Sequence, residues 1–353
     1  MAAIVLTGPG EFELQEVPTP VPEEDEVLCR VRACAICGTD PKIVKGVFAG
    51  TWPPAYPAVI GHEWCGEVVE VGAGVAASPF LSSRLGLGAR VAGEAHKGCG
   101  VCGNCLQGRY TLCENYGDTS SGHRHYGFTA PGAYAEYVAV SAKSLHLLPE
   151  ELSFDEGSMV DTAGVALQGV RRGRVAVGDR VVVLGPGPIG LFTAQYARAA
   201  GAEFTAVVGR GARLEVAENL GAVPVDSETV DPVERVLELT GGKGADVVIE
   251  CAGTAAACAQ SIAMTGKGGR LVMNGIPTEP IEIPWSKIVL EEFDMLGVRA
   301  NPNTSEAALG LIANGSVEAG PILTHTFPLE KFGEALATFV ERRDGALKVV
   351  VNP

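Results

Sequence analysis

Residues 181–184, Val-Val-Val-Leu, form a short apolar, β-branched run. It leads directly into Gly185-Pro186-Gly187-Pro188-Ile189-Gly190 and then a helix-forming stretch ending near Ala200. A buried parallel strand, a G-x-G-x-x-G turn and a helix, in that order, constrain this chain more than any other feature. Gly185 permits a sharp exit from the strand, Gly187 lets backbone approach a diphosphate, and Gly190 lets the helix lie close to the sheet. Pro188 and Ile189 open the helix, whose unbonded N–H groups and positive dipole end suit phosphate. The stretch predicts a dinucleotide site on an α/β, doubly wound parallel sheet.

The pattern downstream agrees. Strand-like runs at 180–184, 204–208, 222–225, 246–250, 270–274 and 294–298 alternate with helical patterns at 189–200, 213–220, 232–240 and 254–265. At the end of the second run, near Gly209, an NAD-type fold places an acid that accepts from the ribose hydroxyls and repels a 2′-phosphate. No acid stands there, and Arg210 and Arg213 follow. Arginine favours phosphate, so the coenzyme reading tilts toward NADP(H). The alternative is that both arginines are solvated groups on the next helix.

Residues 1 to about 150 read differently, as short alternating strands separated by Gly/Pro-rich turns. A helical pattern spans 152–172, and the chain closes with helical patterns at 306–314 and 329–342 and a strand at 348–351. With 353 residues the chain suits two domains. Its net charge of −15 argues against nucleic acid or an anionic membrane surface as partner. No apolar run nears the ~20 residues that span a bilayer, and the first residues lack the basic start of a signal peptide. The expected location is cytoplasmic.

Ten cysteines are many for a reducing compartment, and eight of them precede residue 114. Cys99-x2-Cys102-x2-Cys105-x7-Cys113 can close a tetrahedron locally, with four thiolates leaving no place for substrate, so the zinc would be structural. An iron–sulfur cluster is the alternative. The seven-residue gap and Glu114, rather than proline, after the last cysteine favour zinc. A second, dispersed set comprises Cys37-Gly38-Thr39-Asp40, His62-Glu63 and Asp161. Taken alone, His62 reads as a core histidine and Cys34-x2-Cys37 as a redox pair without thioredoxin-like context.

Several stretches together give these residues a family. CGTD at 37–40, YPAVIGHE at 56–63, the four-cysteine lobe, GAYAEYV at 132–138, GPGPIG at 185–190 and ECAG at 250–253 resemble the zinc-dependent medium-chain dehydrogenases over essentially the full chain. The resemblance implies a GroES-like, mostly-β catalytic domain over 1–153 with its zinc lobe at 96–115. It implies a Rossmann coenzyme domain over 154–296 and a C-terminal return to the catalytic domain over 297–353. It further implies two zincs per chain and NAD(P). Cys37, His62, Glu63 and Asp161 would surround the catalytic zinc, Cys99, Cys102, Cys105 and Cys113 the structural one. Thr39 would carry the alcohol proton, and Asp40 would orient His62. Ile276 and Arg299 would approach the coenzyme with the glycine turn, Gly209, Arg210 and Arg213, while Lys348 is expected to face the diphosphate. Where relatives have a relay histidine this chain has Pro41-Lys42, and Lys42 reads as a surface group. Trp52 and Tyr56 are expected in a pocket wall, and His123-Arg124-His125 in a solvated loop.

The implied reaction passes a hydride between a secondary alcohol, of polyol or vicinal hydroxy type, and NAD(P)+. A threonine-type amino alcohol is the alternative substrate, and a silent coenzyme-binding scaffold or sensor the alternative role. An open zinc shell has no use in a silent protein. Relatives suggest a homodimer or homotetramer acting on a small molecule.

Overall fold

The computed structural model describes residues 1–277 and 279–353. They divide into two compact units: Met1–Asp161 with Ser305–Ala313 and Leu323–Pro353, and Thr162–Thr304 with Asn314–Ile322. The chain passes from one to the other at the start of the helix Val160–Arg172 and crosses back at Thr304/Ser305.

The first unit is built on a seven-stranded sheet. Its strands run Leu145–Leu147, Arg90–Gly93, Glu63–Val71, Glu26–Ala35, Lys348–Asn352 and Leu323–Pro328, with Tyr137–Ser141 also pairing to Glu26–Ala35. The central strand EVLCRVRACA buries both of its ends and exposes Arg30 and Arg32 in the middle; Arg32 pairs with Glu67 on the next strand. Trp64, Val68, Tyr134, Val349 and Val351 fill the core beneath. A smaller sheet of Glu11–Glu16, Ala2–Gly8 and Ala58–Val59 completes the β structure of this half. The expected helix over 152–172 is two helices, Phe154–Ser158 and Val160–Arg172. The first begins with a reciprocal cap between Ser153 and Glu156.

The second unit is a six-stranded parallel sheet. From one edge its order is Val223–Asp226, Phe204–Gly209, Arg180–Leu184, Ala245–Glu250, Thr265–Met273 and Asp294–Gly297. In order of appearance this is 3-2-1-4-5-6, the doubly wound arrangement, and its reversal lies between Arg180–Leu184 and Ala245–Glu250. Both central strands are buried along nearly their whole length, as parallel strands covered on two faces must be. Helices Pro188–Ala199, Ala212–Asn219, Pro232–Leu239 and Ala255–Met264 connect them. Asp231 caps the third through the N–H groups of Val233 and Glu234, and proline holds its first position.

Candidate active site and metal centres

The register of the first unit's sheet gathers residues far apart in sequence. Ala35 stands opposite Glu63 on one side and Val350 on the other. The chain just beyond Ala35 carries Cys37, so Cys37, His62, Glu63 and Lys348 converge. The Sγ of Cys37, a ring nitrogen of His62 and a carboxylate oxygen of Glu63 all lie within 4.8 Å of one another. His62 and Glu63 are buried and Cys37 half-buried. A thiolate, an imidazole and a carboxylate at this separation suit zinc and leave a coordination position over. The Cys37 thiol donates to Thr39 Oγ1 across 3.7 Å, and Thr39 immediately precedes the short helix Asp40–Val44.

Asp40 is wholly buried. Its Oδ2 accepts from the Cys37 N–H at 2.9 Å and the Tyr134 hydroxyl at 2.7 Å, and its Oδ1 lies 3.4 Å from His62 Nδ1. Burial disfavours a charged His62, but Asp40 and Cys37 outweigh it and hold the imidazole's proton affinity above its usual range. Glu63 Oε2 meets Lys348 Nζ at 2.5 Å, and Lys348 also donates to the Ile36 carbonyl at 3.2 Å. Lys348 therefore does not extend toward a diphosphate. The strand it begins, Lys348–Asn352, pairs with Glu26–Ala35, and that pairing directs it to Glu63.

Asp161 is not part of the cluster of donor atoms. It lies in the first turn of Val160–Arg172, so a helix places it and not the sheet register that aligns the other three. Burial pushes its carboxyl up to about 7, opposed by His62 and reinforced by Glu63 and Glu94.

His123 and His125, expected in a solvated loop, are buried. Arg124–His125 pairs with His96–Lys97 as a two-stranded ribbon, which folds these rings inward. His125 stacks on His96 and Phe128, with centroids 3.9 and 3.8 Å away, and Phe128 packs 4.5 Å from His62. Trp52 Nε1 donates to the Tyr116 hydroxyl oxygen at 2.8 Å, which lies 2.5 Å from His125 Nδ1. An indole N–H only donates, so the phenol oxygen accepts from Trp52, and the tautomer of His125 sets which of Tyr116 and His125 donates to the other. Tyr116 and Phe128 had no signal in the sequence, because residues 52, 96, 116, 125 and 128 share no period or motif.

In the four-cysteine lobe the sulfurs of Cys99 and Cys105 are 3.9 Å apart and those of Cys102 and Cys113 4.0 Å. Disulfides would bring sulfurs to about 2 Å, whereas four thiolates around zinc stand about 3.8 Å apart. The gap fits an ion. Backbone N–H groups of Val101 and Cys102 push the Cys99 thiol down to about 6, toward the thiolate that a metal requires.

The second unit holds the expected coenzyme residues at the carboxyl ends of its strands. Gly185 takes a φ of +103°, a Cβ on Gly190 would sit 1.9 Å from the Gly185 carbonyl oxygen, and a Cβ on Gly187 would meet nothing within 4 Å. The open space at Gly187 lies at the start of the helix Pro188–Ala199, with Pro188 and Ile189 in its first turn. Gly209 ends its strand. Arg210 is exposed and lies 3.5 Å from Glu228, and Arg213 is half-buried in Ala212–Asn219. Ile276 is exposed beyond Thr265–Met273 with its backbone against Gly253, and Arg299 is exposed beyond Asp294–Gly297. Glu250, in the ECAG motif, is buried; its Oε1 accepts from the N–H groups of Ala252 at 2.7 Å and Gly253 at 2.8 Å, tying down the loop after its strand.

Comparison with known proteins completes the picture. Residues 23–150 match the alcohol dehydrogenase GroES-like domain, and residues 188–314 match the zinc-binding dehydrogenase domain. The chain is 33% identical to a sorbitol dehydrogenase of Halalkalibacterium halodurans, with 100% of this chain and 99% of that one covered. It is also 33% identical to an L-threonine 3-dehydrogenase of Coxiella burnetii, covering 98% and 96%. A zinc-binding dehydrogenase from Sinorhizobium meliloti 1021, solved bound to NADP, is 34% identical with a TM-score of 0.89, covering 100% and 99%. A likeness that runs end to end, through the metal-binding half as well as the coenzyme half, places this chain in the zinc-dependent medium-chain dehydrogenase family, as an NAD(P)-dependent alcohol dehydrogenase.

Proposed function

We propose that this dehydrogenase interconverts a secondary alcohol bearing a neighbouring hydroxyl, a polyol or vicinal diol, with its ketone. Cys37, His62 and Glu63 hold the catalytic zinc in this reading, and Cys99, Cys102, Cys105 and Cys113 hold the structural one. The observation that carries it is the Cys37–His62–Glu63 cluster. His62 Nδ1 faces Asp40, so Nε2 is the nitrogen left for the metal, with Asp40 fixing the ring. Lys348 neutralises one of the two negative charges that Cys37 and Glu63 bring to the site. Asp161 lies outside the donor set. When bound, the zinc polarises the substrate oxygen and the nicotinamide ring exchanges a hydride with its carbon. Thr39 would act as a relay, accepting the substrate hydroxyl proton while its own hydroxyl proton passes on toward solvent. A threonine-type amino alcohol is the second reading, favoured by the likeness to the Coxiella enzyme.

Arg210 and Arg213, with no acid at Gly209, support a preference for NADP(H). Trp285, Val289 and Leu290 are 67–81% exposed on one helix, and the next strand, Asp294–Gly297, lies at the sheet edge; both support a homo-oligomer. None of the ten cysteines is joined in a disulfide, which supports a cytoplasmic location.

The test is reduced-nicotinamide absorbance over polyols, cyclic and simple secondary alcohols and L-threonine, with NAD+ and NADP+ in parallel. Turnover of vicinal hydroxy compounds that a chelator abolishes and zinc restores supports the reading. Turnover of L-threonine alone moves the assignment to the second reading. One zinc per chain, held only in the four-cysteine lobe, would sink both.

A further inference from the structure

Gly209 closes the strand Phe204–Gly209 at the place where an NAD-type site carries its ribose-binding acid. Its backbone is not left-handed, so conformation does not reserve the position for glycine. Space does. A Cβ built on Gly209 would lie 2.2 Å from Pro186 Cδ and 2.4 Å from Pro186 Cγ. The proline ring cannot swing away as a long side chain would, because it is closed onto its own backbone nitrogen.

Neither side of this contact is free to retreat. The N–H of Gly185, next to the proline, donates to the Val208 carbonyl at 2.9 Å, and the Gly209 carbonyl accepts from Ser227 N at 2.8 Å and Ser227 Oγ at 3.0 Å. The nearest acid across the sheet, Asp226, is opposite Gly209 in register, but its Oδ1 is engaged by the N–H of Glu228 at 2.9 Å in its own turn. Glu228 in turn lies 3.5 Å from Arg210, with both side chains more than half exposed. A pair so exposed is held weakly, and Arg210 can exchange it for a phosphate.

We propose that Pro186 and Gly209 set coenzyme selectivity by excluded volume: the proline ring occupies the space that a ribose-binding acid at 209 needs, which keeps the site open to the 2′-phosphate of NADP(H). The proposal rests on the reading of the glycine turn as the coenzyme site. It makes Pro186 a specificity-determining residue of the loop, and it means that the usual single exchange to an acid fails here.

The experiment titrates zinc-loaded full-length protein with NADPH and NADH by nucleotide fluorescence. Gly209→Asp is expected to weaken both nucleotides about tenfold or more, with no gain in NADH preference, because the loop must move to admit the side chain. The Pro186→Ala/Gly209→Asp double variant is expected to regain NADH binding to within about threefold of the parent and to shift the NADH/NADPH affinity ratio at least tenfold toward NADH. Gly209→Asp alone favouring NADH as strongly as the double variant would overturn the proposal. Should Gly209→Asp fail to fold, Gly209→Ala keeps the test, since it carries the same Cβ. Its melting temperature is expected to fall by about 4 °C, with Pro186→Ala recovering most of the loss; strictly additive melting shifts would overturn the steric contact. If the parent protein binds neither nucleotide, the reading of the coenzyme site itself fails, and the proposal with it.

Discussion

Lys348 Nζ and Glu63 Oε2 form a 2.5 Å ion pair in which both side chains are at least 97% buried. The two residues are 285 positions apart in the chain. They meet because Lys348–Asn352 and Glu63–Val71 flank the same central strand, Glu26–Ala35.

Breaking this pair leaves an uncompensated charge in the interior. Lys348→Met is expected to lower stability by about 3–5 kcal/mol in urea titration. Lys348→Met/Glu63→Gln should recover a large part of that loss, because the orphaned carboxylate is gone. Losses that simply add would remove the pair from the account of stability.

The two metal sites are separable. Cys37→Ser is expected to reduce zinc from two ions per chain to one and turnover by about 10³-fold, with the melting temperature little changed. Cys113→Ser should also lose one zinc, but its signature is rapid proteolysis within the 96–115 lobe, since the thiolates there draw the loop together. Metal analysis and limited proteolysis on the same preparations read both effects.

Asp40→Asn keeps an oxygen for the Cys37 N–H and Tyr134 hydroxyl but removes the charge beside His62. Zinc affinity at the Cys37 site is expected to drop about 10- to 100-fold. Competition against a graded chelator measures it, and an unchanged affinity would deny Asp40 its orienting role.

In the coenzyme unit, Arg180 holds the Asp246 carboxyl below the usual range, against a smaller opposing effect of burial, through 2.8 and 2.9 Å hydrogen bonds. As pH falls below about 4, the unfolded chain takes up this proton before the folded one does, so the contribution is complete above the unfolded pKa and is lost as pH falls through the lowered folded value. Asp246→Asn should therefore flatten the acid side of the stability profile, read as urea midpoints from pH 6 downward. A parallel profile for the variant would show that the carboxyl does not contribute.

Much of this molecule is written locally. The G-x-G-x-x-G turn, the alternation of strands and helices behind it and the four-cysteine lobe each depend on residues only a few positions apart. Spacing therefore determined them, and Gly185, Gly187 and Gly190 take the three geometries their positions demand. The match of CGTD and GHE to a family brought Cys37, His62 and Glu63 together on paper. What sequence alone could not supply is contact between distant segments. Strand register decided that Lys348 meets Glu63, and the helix Val160–Arg172 that Asp161 stands outside the donor cluster. A two-residue ribbon decided that His125 is stacked between His96 and Phe128 and not in solvent. The closure of Gly209 by Pro186 is likewise a matter of a few ångströms across two parallel strands. Such contacts follow from how backbones lie against one another, and the pattern along either segment does not encode that distance.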